Sequence, residues 1–338
     1  MRPLTPRRVV GMCMALLFIL FVVVVISLRM GAVPISVRDI VTTLFKSAVG
    51  RQDEVSSEFA LVVFGLRLPR IALGILVGAA LATAGASFQA LLRNPLADPY
   101  VLGVSSGAAL GAIVSLIVAP FTPGAIQVAA FAGAAVTIAA VYFLGRRGGQ
   151  LDSATLLLAG IVSASFLSAV IMFLMTTLSG RDLRGMAFWL MGDLSSAPRV
   201  DLRWLYLLLI IAVGSIYTTS SDLNLILTGE QEARHLGVNV NRVKLVVYVS
   251  ASILTGLAVS VSGAIGYVGL LVPHVMRMLF GTDHRLLIPA SAIGGAIIVV
   301  AADLLARTIV APTELPVGAM TAIAGAPVFI YLMRRRVR

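Results

Sequence analysis

RRVVGMCMALLFILFVVVVISLR, residues 7–29, is the stretch that decides the fold. Between Arg8 and Arg29 runs an uncharged segment, Val9 to Leu28, with Ser27 as its one hydroxyl. An α-helix rises 1.5 Å per residue, so about 20 apolar residues cross the ~30 Å of bilayer hydrocarbon. Arginines ahead of an apolar run also begin a secretory signal, but a signal's apolar region covers only ~7–15 residues before a small-residue cleavage site. This run is longer and ends on Arg29, so it is read as a retained first transmembrane helix.

Working outward, the whole chain has the same character. Of its 338 residues 59% are hydrophobic and 12% charged, and the mean hydropathy is +1.01. Soluble domains carry roughly 45–50% apolar and about 25% charged residues. Nine further apolar segments follow, at 68–92, 101–119, 124–145, 153–178, 203–219, 242–262, 266–280, 286–306 and 316–333. The expected fold is therefore an all-α integral membrane protein of about ten spans, a single domain over 1–338 with no room for a soluble one. The run 266–280 is short and contains Pro273, His274 and Arg277, which suits burial inside protein better than contact with lipid.

Lys and Arg set the orientation, because loops rich in them stay in the cytoplasm. With the N-terminus inside, 15 of the 26 Lys and Arg fall on the inner side, among them Arg2, Arg7, Arg8, Arg93, Arg146, Arg147, Arg234, Arg242, Lys244, Arg277, Arg285 and the tail Arg334, Arg335, Arg336 and Arg338. Basic ends on the same side require an even number of spans, in keeping with ten. The net charge of +11 is scattered between apolar runs rather than gathered in one patch, which argues against nucleic acid.

Motifs for chemistry are few. Cys13 is single and sits in the first apolar run, and His235, His274 and His284 have no ligand spacing, so neither a disulfide nor a metal site is expected. There is no GxxxxGK[ST] loop, so any nucleotide energy must come through a partner. Gly103 to Gly107 matches GxSxG, but it opens an apolar helix after NPLADPYVL, whereas a nucleophile elbow needs a strand before it. Gly74 and Gly78, and Gly103, Gly107 and Gly111, are spaced for close helix approach within the subunit. Asp303 and Arg307 stand four apart and are expected to pair on one helix face.

Two polar stretches stand out. Residues 220–241, SSDLNLILTGEQEARHLGVNVN, are too polar to enter the bilayer, and Glu230, Glu232, Ala233 and Leu236 suit a short helix closed by Gly237. Arg67 and Arg70, in RLPR at the start of the second span, suit either snorkelling anchors or the docking of an acidic partner. An ion-coupled secondary transporter would share the helix count, but it needs ionisable groups near the midplane, and Asp152, Asp193 and Asp303 fall near span ends.

Taken in order, RLPR (67–70), AGASFQALLRNPLADPYVLGVSSGAALGA (84–112), FWLMGDL (188–194), GEQEARHLGV (229–238), GAIGYVGLLVPHVMRMLFGTDHR (263–285), ADLLAR (302–307) and ELPVGAMTAIAGAPVF (314–329) resemble the permease family of ABC importers for iron siderophores, haem and cobalamin. The resemblance covers nearly the whole chain. It implies a non-catalytic permease subunit of the inner membrane that works as a homodimer with both termini cytoplasmic. Two cytoplasmic ATPase subunits would hold ATP and Mg, and a periplasmic or surface binding protein would deliver the cargo. This chain itself would carry no cofactor and no metal. The resemblance assigns Gly229, Glu230, Glu232, Ala233, Leu236, Gly237 and Val238 to ATPase coupling. Arg67, Arg70 and Arg307 would meet carboxylates of the binding protein, Asn94 and Leu96 would close the inner mouth, and residues 155–177 would line the route.

Overall fold

Helix starts in this chain are written by short polar side chains. Asp152, Asp201, Asn239 and Asp283 stand just ahead of helices, and each accepts a hydrogen bond from a backbone N–H of the first turn, at 2.8, 3.1, 3.1 and 3.0 Å. Such caps satisfy donors that the helix itself leaves open. The computed structural model describes residues 5–31, 35–48, 60–119, 122–147, 150–176, 180–195, 197 and 200–336.

Among these residues there are fourteen α-helices: α1 (Pro6–Arg29), α2 (Val37–Ala48), α3 (Leu68–Leu91), α4 (Val104–Val118), α5 (Ala125–Leu144), α6 (Ser153–Met175), α7 (Gly180–Leu190), α8 (Leu202–Thr218), α9 (Ser220–Thr228), α10 (Glu230–His235), α11 (Val240–Ser262), α12 (Val268–Phe280), α13 (His284–Thr308) and α14 (Val317–Arg336). A π-helical stretch, Leu61–Arg67, runs straight into α3. The register slips just ahead of Pro69, which has no N–H to offer a preceding carbonyl. The only strands among the described residues are the two-residue pair β1 (Arg146–Arg147) and β2 (Gln150–Leu151).

Each of the ten apolar runs is largely helical among its described residues. The helices α1, α5, α6, α11 and α13, and α3 together with its π-helical lead-in, are long and apolar enough to cross a membrane alone. The pair α8 and α9 passes the same test together but is bent by 46°, and α4, α12 and Val317–Leu332 of α14 are shorter. The bend is new relative to the sequence reading, which ended a span at 219 and within 220–241 placed a helix only around 230–236.

α3 is the axis of the molecule, buried from Ile71 to Leu91 apart from Ala72 and Ile75. A polar-free surface does not by itself drive helices together in lipid, so close backbone approach has to. α3 and α13 achieve it where Gly78 and Gly295 face each other: a Cβ on either would run into the other's carbonyl. Gly107 and Gly111 of α4 likewise face Gly133 and Ala129 of α5, so both small-residue motifs serve packing within the chain.

Between α11 and α12 the chain is not helical from Gly263 to Tyr267, although α12 begins beside Gly85, well inside α3. Backbone at such a place must be satisfied by protein. The Tyr100 hydroxyl does this at Ile265, accepting from its N–H and donating to its carbonyl, both at 3.0 Å.

Candidate functional site

Two groups of polar side chains stand at opposite ends of α3. The first gathers around Asp303 on α13, whose carboxylate is almost completely buried. Its Oδ1 accepts from Arg70 Nε at 2.7 Å and its Oδ2 from Arg307 Nε at 3.0 Å. The Asp303 and Arg307 pair is the one that the four-residue spacing predicts; the second partner, Arg70, is 233 residues away in sequence. Arg70 also holds Glu314 at 2.8 Å, and Arg307 reaches Ser27 Oγ at 2.8 Å. Arg67 donates to the carbonyls of Leu28 and Arg29, the C-terminal end of α1.

These side chains wall a cavity of about 190 Å³ shared by Arg67, Arg70, Arg307 and Glu314. Three guanidinium groups against the two carboxylates of Asp303 and Glu314 leave a charge of +1 there. All three arginines are buried, while Glu314 at the rim is 49% exposed. Arg70 and Arg307 sit inside an ion-pair cluster and Arg67 holds the end of α1, instead of projecting from helix ends as simple snorkelling anchors would.

The second group lies where α9, α10 and the loop after α3 meet. α10 ends as the sequence predicts, with Gly237 at φ +86°, a region that favours glycine. Val238 N–H bonds to Ala233 O and Gly237 N–H to Arg234 O, both at 3.0 Å, the pair of bonds of a Schellman ending. That ending turns Ala233 inward, fully buried, and leaves Leu236 66% exposed. Glu230 is anchored by Lys244 at 2.7 Å and stands 3.6 Å from Arg93. The Glu232 carboxylate lies where a side chain on Gly229 would stand.

Arg93 was not singled out from the sequence, because its partners lie far away in the chain. It takes a positive φ of 49° right after α3 and donates from Nη2 to Ile226 O at 2.6 Å. The next residue, Asn94, folds the loop by accepting from Leu96 N–H at 2.9 Å, and Leu96 is left exposed. The predicted gate residues and the predicted coupling helix are thus joined through one arginine.

Other candidates fall out differently. Ser105 and Ser106 lie in the first turn of α4, after a 3₁₀ turn, Pro99–Leu102, and not after a strand, so the elbow geometry is missing. His274 is buried edge-on to Phe329, with ring centres 6.3 Å apart, and His235 is on the surface of α10. Among the described residues no three His, Cys, Asp or Glu side chains come together as a metal site. Asp152 caps α6 and also takes the Thr155 hydroxyl at 2.7 Å, while Asp193 binds Ser195, so both have local work. On α6, most side chains from Thr155 onward face outward with little burial; Thr177 lies outside the described residues.

Beside the second group stands a third cluster. Asp283 caps α13 and is held by Arg285, with Nη2 to Oδ2 at 2.6 Å. The Arg285 guanidinium keeps the Asp283 carboxyl down at about 2, so it is ionised and only accepts hydrogen bonds. Asn224 of α9 donates to it from Nδ2 at 2.8 Å.

Comparison with known proteins identifies the family. The model of the FecCD transport family matches residues 19–335. The cobalamin import system permease protein BtuC of Halobacterium salinarum is 44% identical over 280 residues, covering 82% of this chain and 75% of that protein. The hemin transport system permease protein HmuU of Yersinia pestis is 39% identical over 344 residues, covering 98% and 96%. A solved metal-chelate type ABC transporter in an inward-facing conformation superposes with a TM-score of 0.80 at 29% identity, over 96% of this chain and 99% of that one. The chain belongs to the FecCD transport family.

Proposed function

We propose, with membership of the FecCD transport family as premise, that this chain is the membrane permease subunit of an ATP-driven importer for a metal chelate. Its cargo is an iron siderophore, haem or cobalamin, the class carried by relatives such as HmuU and BtuC. The chain crosses the inner membrane ten times with both ends in the cytoplasm, and two copies enclose the route. Two ATPase subunits dock below and a binding protein docks above. The importer changes its resting arrangement as ATP binds and is hydrolysed, a population shift without chemistry on the cargo.

The observation that carries this reading is the Schellman-closed helix α10, which offers Leu236 to a partner and is tied by Glu230, Lys244 and Arg93 to the loop of Asn94 and Leu96. A push on α10 would reach the inner mouth through that contact. Gly229, Glu230, Glu232, Ala233, Leu236, Gly237 and Val238 form the ATPase-coupling surface in this reading. At the other end, Arg67, Arg70 and Arg307 receive carboxylates of the binding protein in their cavity, where bidentate Arg–carboxylate geometry favours arginine over lysine.

The test is uptake by proteoliposomes holding the permease, its ATPase and its binding protein, offered ferric siderophores, haem and cobalamin in turn. ATP-dependent uptake of one of them is expected. Uptake by the permease alone on an ion gradient, or ATP hydrolysis by the purified permease, would overturn the assignment.

A further inference from the structure

A cavity of about 340 Å³ opens at the surface between α5 and α11, lined among others by Phe131, Ala135, Ile138, Tyr142, Leu245 and Val249. Ala135, Leu245 and Val249 are exposed, so the cavity faces the outside of the bundle. Both helices are long and apolar enough to cross a membrane, which places the cavity at a depth where lipid or another protein fills it, and not water. Its walls are aliphatic and aromatic apart from Ser252 and the hydroxyls of Tyr142 and Tyr248, and the Tyr248 hydroxyl donates to Ile138 O at 2.9 Å.

The two helices run antiparallel along it. Tyr248 packs on Tyr142 with ring centres 5.7 Å apart, while a Cβ on Gly256 would stand 3.3 Å from the Cβ of Ala134. Rising numbers on α11 thus meet falling numbers on α5, and the last turn of α5 lies beside the first turns of α11. That shared end is basic. Arg146 and Arg147 follow α5, and Arg242 and Lys244 stand near the start of α11. Two carboxylates accompany them, Asp152, which caps α6, and Glu230, which Lys244 holds at 2.7 Å. Four cations against two carboxylates leave a charge of +2. Within this group Arg146 is placed against the cavity itself: it is exposed, and its Cζ stands 5.4 Å from the centre of the Tyr142 ring.

We infer that this cavity is a site for an anionic phospholipid, with one acyl chain lying between α5 and α11 and the headgroup phosphate beside Arg146. An apolar slot about 16 Å long, taken from Leu245 to Gly256 at 1.5 Å per residue, that ends on a guanidinium has the form of such a molecule. Basic groups at the ends of membrane helices attract anionic headgroups over neutral ones. A second copy of the chain fits less well. Related by a two-fold axis along the membrane normal, it would bring its own Arg146 to the same depth, and like charges placed together oppose association. The site uses helices other than α6 and does not depend on the cargo or its route.

The test is photolabelling of the full-length permease in phosphatidylcholine proteoliposomes, with phosphatidylglycerol or phosphatidylcholine carrying the same diazirine-bearing acyl chain and the labelled peptides mapped by mass spectrometry. Phosphatidylglycerol should label residues 131–143 and 245–256 about fivefold more than phosphatidylcholine does, the factor that one basic group near the surface contributes toward anionic lipid. Arg146→Gln should lower that ratio toward one, whereas Arg146→Lys, which keeps the charge, should preserve most of it. Ala139→Phe fills the cavity from an exposed position on α5 and should reduce labelling of these residues by both lipids while leaving labelling elsewhere unchanged. Should Ala139→Phe fail to insert, competition on the unaltered protein serves instead, with unlabelled phosphatidylglycerol suppressing the label and an equal amount of phosphatidylcholine not doing so. Equal labelling by the two lipids, a ratio indifferent to Arg146→Gln, labelling that survives both Ala139→Phe and the competitor, or crosslinking of the cavity residues to a second permease copy in place of lipid would overturn the proposal.

Discussion

The two ends of α3 use charge in opposite ways. At the Asp303 end the carboxylate lies buried between two buried arginines, and the cluster ties the end of α1, the start of α3 and the end of α13 together. At the Glu230 end the pair with Arg93 is partly in water, Arg93 being 41% exposed although Lys244 on the other side is buried, and position is set largely by backbone endings. Taking ions out of water costs several kcal/mol each and is offset only by good geometry, so a cluster like the first is rigid and intolerant. Pairs like the second are weak, about 0–1 kcal/mol, and can be remade during a cycle. One end suits holding a shape, the other suits changing it.

The largest effect is expected from breaking the buried end. Asp303→Asn leaves Arg70 and Arg307 facing each other without their shared counter-charge and should destabilise the chain by roughly 3–5 kcal/mol. Thermal unfolding in detergent measures it, and a variant as stable as the parent would place the cluster among the weak surface pairs.

Next comes Gly237→Pro. Proline is confined to φ near −65° and has no N–H, whereas Gly237 sits at φ +86° and donates to Arg234 O. The ending of α10 would be rebuilt, at a cost of about 2–3 kcal/mol confined to the helix tip. ATP hydrolysis by the complex should continue while cargo moved per ATP falls severalfold. Normal coupling with a correctly inserted variant would remove α10 from the ATPase contact.

Arg93→Gln probes the link between α10 and the loop after α3. Since its ion pair is half-exposed, stability should fall by less than about 1 kcal/mol. The expected change is in the ratio of uptake to hydrolysis. A loss of stability as large as that of Asp303→Asn would erase the contrast between the two ends.

Smallest is Glu314→Gln at the rim of the cavity walled by Arg67, Arg70 and Arg307. It removes a partly exposed partner of Arg70 and should alter stability by no more than about 1 kcal/mol. Binding-protein affinity should rise at low ionic strength, because Arg70 is then open to an incoming carboxylate, and the gain should shrink in high salt. Weaker docking instead would make Glu314 itself a contact and take Arg70 out of that role.

What was legible in the amino-acid order is what depends on neighbours in the chain. Apolar runs of about 20 residues mean helices in a bilayer. The Gly237 ending of α10 and the Asp303 to Arg307 pair involve residues within five positions of each other. Even the small-residue spacing in α3 and α4 announced close packing, since only a missing Cβ permits it.

Only the tertiary structure decided which distant groups those elements would meet. Arg70 joins Asp303 across 233 residues, Arg93 meets Ile226 and Glu230, Tyr100 closes the backbone of Ile265, and Asn224 fixes the His284 ring. The helical repeat sets which face of a helix a side chain occupies, but not what lies opposite that face. In a low-dielectric interior each buried polar group must still find a partner, and helix packing determines which one comes within reach.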